Sequence, residues 1–245
     1  ALTPEVTTNF TNQGEVTAEA SAATGLPTNI PVMYRSGDQP NNALSLNVLK
    51  PGEVAATGGT SGVIYVVTDN IVSKEPSRIN SFAHVNYTTN NSYVGKLLCI
   101  NGAGILYRWL MNNMDGTSYE EMNTLAEEVA VGSEGLVIIP FGNGAERMLY
   151  NKKLSTHIAH LDLNLHGRKH LFRAGLEGIA FAFVYGMEIL KGDDAKDVLA
   201  DARAFLGLER WYAERGIPYR RGYLLHGPPG SGKTSLVCAV AGELR

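Results

Sequence analysis

Eight consecutive residues late in this 245-residue sequence have the types and spacing to hold a phosphate chain. They are Gly227-Pro228-Pro229-Gly230-Ser231-Gly232-Lys233-Thr234, and they fit the Walker A pattern at every fixed position. Glycines at 227, 230 and 232 let a loop wrap an anion with its backbone N–H groups turned inward. Lys233 would reach the β- and γ-phosphates, and the Thr234 hydroxyl would ligate Mg²⁺. The chemistry implied is binding of ATP with Mg²⁺.

Such a loop works only between a strand and a helix. Tyr223-Leu224-Leu225 reads as a short buried strand leading into Gly227, and Lys233 to Leu244 reads as a helix. Upstream, Asp194 to Leu206 reads as another helix, with Val198, Leu199, Ala202, Phe205 and Leu206 at helical spacing. Gly216-Ile217-Pro218 breaks the chain between them.

A second group of candidates lies in the first 191 residues. Ser36-Gly37-Asp38-Gln39-Pro40 is turn-rich; its aspartate is as readily a turn former as a working carboxylate. Gly58-Gly59-Thr60-Ser61-Gly62 precedes Val63-Ile64-Tyr65-Val66-Val67-Thr68, a strand by its β-branched content. That turn offers N–H groups and hydroxyls to a phosphate, as many plain hairpin turns also do. Asn101-Gly102-Ala103-Gly104 opens a helical stretch from Ile105 to Met111. Its small residues suit either a close ligand or close helix–sheet packing.

The elements around these candidates are readable. Ser118-Tyr119-Glu120-Glu121 is a capping box for a helix expected to run to about Val131. Leu136-Val137-Ile138-Ile139-Pro140 reads as a buried strand stopped by proline. A long helix spans about Arg168 to Leu190 and is apolar on most faces, which predicts burial between other elements.

Composition bounds the function classes. A net charge of -3 argues against nucleic acid or a membrane surface as partner. No apolar run is long enough to span a bilayer, and the first residues carry no basic-then-apolar signal. Two distant cysteines, Cys99 and Cys238, make no disulfide framework, so a reduced, cytoplasmic setting is expected. Polar usage changes abruptly near Lys191: residues 1–191 hold eighteen Asn and fifteen Thr, whereas residues 192–245 hold no Asn and one Thr. Six Arg fall on each side of that point despite the unequal lengths. The shift predicts two pieces of different ancestry, 1–191 and 192–245.

The motifs of the first piece fall in one order: Gly37-Asp38-Gln39, Gly59-Thr60-Ser61-Gly62, Asn101-Gly102-Ala103-Gly104 before Trp109, Pro140-Phe141-Gly142, and Arg173-Ala174 with Glu177-Gly178. That order resembles the C-terminal half of FGGY-family carbohydrate kinases, most closely the xylulokinase branch. The resemblance implies an α/β, ribonuclease-H-like (actin-like ATPase) lobe with ATP held against a second lobe. It implies Asp38 as the general base on a sugar hydroxyl, with a ketose such as xylulose as acceptor. It implies Gly59, Thr60, Ser61 and Gly62 at the ATP phosphates, Gly104 beside the nucleotide, and Arg108 more loosely on the nucleotide side.

Trp211-Tyr212, Arg215 to Leu225, the glycine loop and Ala241-Gly242-Glu243-Leu244 resemble the opening of the AAA domain of the mitochondrial complex III assembly chaperone family. Proteins of that family are membrane-anchored ring ATPases. The fold class expected for the whole is therefore a sugar-kinase lobe followed by a truncated P-loop strand-loop-helix segment. The kinase family's first phosphate turn, its glycine-rich adenosine motif, and the AAA family's Walker B acid and arginine finger are not found in these residues. Three functional readings follow. The first is a composite of two ATP-using parts that does not turn over as it stands. The others are a sugar kinase completed by another chain, and a non-catalytic nucleotide-binding module.

Overall fold

The computed structural model describes residues 8–116 and 118–191. The elements expected at Asp194–Leu206, Tyr223–Leu225 and Lys233–Leu244 lie outside the described residues, as do Cys238 and the glycine loop Gly227–Thr234.

A four-stranded antiparallel sheet organises the described part. Its strands are β1 (Val54–Gly58), β2 (Gly62–Thr68), β3 (Asn80–Ala83) and β4 (Val94–Ile100), in the order β1-β2-β4-β3. β2 pairs with β1 from Val54↔Val66 to Gly58↔Gly62, and with β4 from Gly62↔Ile100 to Thr68↔Val94. The β-branched run read from the sequence is therefore one of the two inner strands. Its alternation divides the core, because successive side chains leave a strand on opposite faces. Ile64 and Val66 join Leu98 and Ile100 on one side. Tyr65 and Val67 join Ala55 and Leu97 on the other.

Helices cover both faces. Two short ones come first, α1 (Ala18–Thr24) and α2 (Asp38–Ser45). α2 packs Ala43 into the core on the Tyr65 side. The opposite face takes α3 (Gly104–Asn113), α4 (Tyr119–Glu127) and α5 (Arg168–Lys191). α5 is the long helix read from the sequence. It buries Phe172, Leu176, Ile179, Phe183 and Leu190, and leaves Phe181 and Tyr185 exposed. Among the described residues no helix is long and apolar enough to cross a membrane.

Two expectations are corrected. The capping-box helix starts as read, with the Glu121 N–H donating to Ser118 Oγ at 3.1 Å, but it ends at Glu127 rather than near Val131. Glu128 closes it, and the chain then turns through Gly132 (φ 91°) and Glu134 (φ 53°), left-handed values that bar any resumption of the helix. The strand at 136–140 is shorter and less buried than read. β5 (Val137–Ile139) buries only Ile138, and pairs with a single partner, β8 (His157–Ala159). Between them run β6 (Ala145–Glu146) and β7 (Lys152–Lys153), a second two-stranded pair. A two-stranded ribbon has one covered face, so Val137 and Ile139 stay exposed.

Candidate functional site

Asp38 is the first residue of α2, not part of a free turn. Gly37 stands at the N-cap in extended backbone, and Asp38 Oδ1 accepts the N–H of Gln39 at 2.8 Å. A carboxylate in the first helical turn is favoured by the helix dipole. Pro40 fits in the same first turn, where its missing N–H has no intrahelical partner to lose. Asp38 is exposed. The turn-former reading and the base reading thus meet in one place: the local chemistry that starts the helix also presents the carboxylate to solvent.

The Gly59–Gly62 turn is the tip of the β1–β2 hairpin. The Gly59 N–H donates to the Ser61 carbonyl at 2.9 Å, and Thr60 is exposed. The Thr60 carbonyl accepts the N–H of Ile105 at 3.0 Å, which seats the turn on the N-terminus of α3. Asn42 Nδ2 donates to Thr57 Oγ1, tying the helix that carries Asp38 to the strand that carries the turn. Asn42 is one helical turn beyond Asp38, and Thr57 is the penultimate residue of the strand, just before the tip.

Glycine is required at two places around this joint. A Cβ on Gly104 would lie 2.1 Å from the Gly59 carbonyl oxygen. A Cβ on Gly102 would lie 2.0 Å from the Pro140 carbonyl oxygen. No side chain tolerates such approaches to backbone, so both residues are small because other backbone sits against them. This supplies the packing reason the sequence left open for Gly104. Motifs separated by some forty residues in sequence thus fit into one another at Gly59–Gly104 and Gly102–Pro140.

The loop between β4 and α3 is held from beneath by Glu146, which sequence reading did not single out. Its carboxylate is 2 % exposed and accepts the Asn101 N–H through both oxygens, at 3.1 and 3.0 Å. The backbone N–H groups of Gly102 and Met148 also donate to it. Burial nevertheless raises the carboxyl above its ordinary value, against the pull of those three donors. Asn101 in turn donates from Nδ2 to the Ala145 carbonyl at 2.7 Å. The acidic residue flanked by Ala145 and Arg147 carried no periodic signal, and only its contacts reveal it.

Beyond the turn, α3 forms one wall of a cleft of about 440 Å³. Ile105, Leu106 and Trp109 face Pro140 and Leu154 across it. That volume is within the range that holds a small-molecule ligand. Arg108 lies on the exposed side of the same helix. The last motif is structural: Arg173 Nε pairs with Glu177 Oε1 at 2.6 Å along α5, and Glu177 Oε1 also accepts the Gly132 N–H at 3.0 Å. It fixes α5 against the turn that ends α4. The structure brings Asp38, Thr57, Thr60 and Gly104 into one connected unit. Residues Gly227, Gly230, Ser231, Gly232, Lys233 and Thr234 lie outside the described part.

Comparison with known proteins finds two families along the chain. Residues 223–245 match the model of the ATPase family associated with various cellular activities (AAA). The mitochondrial chaperone BCS1 of Danio rerio is 54% identical over 56 residues, 23% of this chain and 13% of that protein. The xylulose kinase of Haemophilus influenzae is 30% identical over 180 residues, 73% of this chain and 35% of that protein. The crystal structure of xylulose kinase from Rhodospirillum rubrum superposes with a TM-score of 0.67 at 27% identity, covering 98% of this chain and 48% of that one. The chain thus spans about a third of the length of the curated sugar kinase it matches. Residues 54–204 match the C-terminal domain model of the FGGY family of carbohydrate kinases, which takes in the hairpin turn, the Gly102–Gly104 loop, Glu146 and the whole of α5, and by that match the chain belongs to the FGGY family.

Proposed function

We propose that the described lobe is one side of a sugar-kinase cleft, in which a sugar hydroxyl attacks the γ-phosphoryl group of Mg²⁺-bound ATP. Asp38 accepts the hydroxyl proton, and Gly59, Thr60, Ser61 and Gly62 hold the phosphates. A carboxylate suits that role because it takes the proton as the oxygen attacks, while the turn bears the charge of the moving group. The cleft lined by Ile105, Leu106 and Trp109 takes the nucleoside end. A ketose such as xylulose is the acceptor, in keeping with the xylulose kinases among its relatives.

One observation carries this reading. The Asp38 helix is tied to the turn-bearing strand through Asn42 and Thr57, and the turn is seated on α3 through Thr60 and Ile105. Base and phosphate turn therefore keep a fixed relation, which a transfer reaction requires.

We further propose that a boundary near Lys191 separates this lobe from a second ATP-binding part, residues 192–245, whose Gly227, Gly230, Ser231, Gly232 and Lys233 cradle phosphate and whose Thr234 ligates Mg²⁺. Support comes from the AAA match over 223–245. Transfer needs sugar and ATP held together between two lobes, and these 245 residues supply one. The expected behaviour of the chain alone is nucleotide binding without sugar-dependent turnover. ADP production at millimolar D-xylulose is the test. No xylulose-dependent ADP is expected. Production that disappears in Asp38→Ala would overturn the absence of turnover; production that appears only when a second chain is added would favour a kinase completed by that chain.

A further inference from the structure

The connection that leaves α2, residues 46–53, is held by a buried polar chain that no candidate motif includes. His84 follows β3 and is wholly buried. Its Nε2 lies 3.1 Å from the Val48 carbonyl oxygen, and its Nδ1 lies 3.0 Å from Tyr65 Oη. A carbonyl can only accept, so Nε2 carries the proton. Nδ1 is then the acceptor for the Tyr65 hydroxyl. Two residues on, Asn86 Nδ2 donates to the next carbonyl, that of Leu49, at 2.9 Å.

Both ends of this chain are fixed. The Val48 N–H donates to the Ala43 carbonyl inside α2 at 2.9 Å, so the residue gripped by His84 is also bonded to the helix. At the other end the Tyr65 ring lies where a side chain on Gly95 would stand. A Cβ there would be 1.8 Å from the phenol oxygen. Glycine on β4 thus makes the room that lets Tyr65 reach His84. Ala43, Tyr65 and Val67 pack together around it, with Val48 against them.

We infer that His84 is the positioning residue of the Asp38 helix, a neutral buried imidazole that holds the end of α2 on the sheet through Val48. The inference rests on the proposed role of Asp38 only for its consequence in catalysis. The hold on α2 stands or falls on its own.

The titratable groups facing His84 are Tyr65 on β2 and Glu53 on the connection itself. Tyr93, whose carbonyl accepts the His84 N–H, stands beside it. Burial keeps the imidazole below its ordinary value, outweighing the Val48 carbonyl and the Glu53 charge, which act the other way. The group is depressed, so its contribution is present in full above the unfolded value of 6.5 and is lost as pH falls through the folded one. Acid therefore releases the helix.

Amide hydrogen exchange on the 245-residue chain tests this, comparing wild type, His84→Leu, His84→Gln and Asp38→Asn. In His84→Leu, amides of residues 38–53 should exchange at least about tenfold faster, with residues 94–100 and 168–191 unchanged. Glutamine can donate to Val48 and accept from Tyr65, so His84→Gln should restore protection. After correction for intrinsic rates, lowering pH from 7 to about 5 should loosen residues 38–53 in wild type and not in His84→Gln. Asp38→Asn should leave the pattern unchanged. Protection of 38–53 retained in His84→Leu, or lost equally across all segments, overturns the inference. Failure to find sugar phosphorylation in any setting counts against the kinase reading alone, because exchange reads the helix and not the chemistry.

Discussion

Glu146 holds the backbone N–H of Asn101 with both carboxylate oxygens, across forty-five residues of sequence. This contact decides where the loop between β4 and α3 sits. That loop places Gly104, and Gly104 receives the Gly59 carbonyl of the hairpin turn. The phosphate turn proposed for this lobe is therefore positioned by an acid that touches no phosphate.

Glu146→Gln should unsettle that loop. Three N–H donors converge on the carboxylate, and an amide would set its own NH₂ among them. A buried donor left facing donors costs about 1–3 kcal/mol. For a chain of this size that lowers Tm by roughly 2–4 °C per kcal/mol. The pH dependence has a definite sign. The folded carboxyl is raised above its ordinary value of 4.5, so its contribution is full below that value and is lost as pH rises through the folded one. The wild type's advantage over the variant should be widest near pH 4.5 and narrow toward neutrality. Thermal melts of both proteins across this range check it, and a gap that widens with pH would contradict the assignment.

Gly104→Ala tests the seating of the turn. The added Cβ would stand 2.1 Å from a backbone oxygen that cannot rotate away, so β1–β2 or α3 must shift. Overpacking of this kind costs about 1–3 kcal/mol. Arg108→Ala, on the exposed side of the same helix, should change stability by no more than about 0.5 kcal/mol. Equal, small effects in the two variants would show that the contact carries no strain.

What the sequence made legible was whatever repeats or caps locally. The β2 strand showed in its β-branched run, α5 in its apolar faces, and the start of α4 in Ser118. The motif order also pointed to the family whose model matches residues 54–204. What stayed hidden was set by partners distant in sequence. Glu146 and His84 have no periodic neighbours, and each has a defining bond to a residue more than thirty positions away. The helix under Asp38 was hidden for a different reason. Gly37, Asp38 and Pro40 signal a turn, and the same residues start a helix when Ala43 has a sheet to pack on. The end of α4 at Glu127, with Glu128 still in right-handed backbone, has no local signal in the sequence.

The cleft beside α3 gives a direct optical readout. Trp109 is 49% exposed and lines it. If the nucleoside end of ATP enters there, titration with ATP should change tryptophan emission, and Trp109→Phe should remove most of that change. The chain's other tryptophan, Trp211, belongs to the part proposed to hold the glycine-loop site, so both titrations are made in a Lys233→Ala background. A full change persisting in Trp109→Phe would place the nucleotide away from this cleft.

Two phosphate sites are proposed for one chain, and paired variants separate them. Lys233→Ala removes the cation proposed to reach the β- and γ-phosphates from the glycine loop. Asp38→Asn removes the proposed base, and its amide oxygen can still accept the Gln39 N–H at the start of α2. Asp38→Asn should therefore keep Tm within about 1 °C of wild type and leave ATP affinity intact. Lys233→Ala should weaken the tighter of the two binding phases by at least about tenfold, since charge-assisted contacts to phosphate are strong. Calorimetric titration with ATP and Mg²⁺ measures both. A Lys233→Ala chain that binds nucleotide unchanged would remove the glycine loop from the binding function, leaving the β1–β2 turn and the cleft beside α3 to account for all of it.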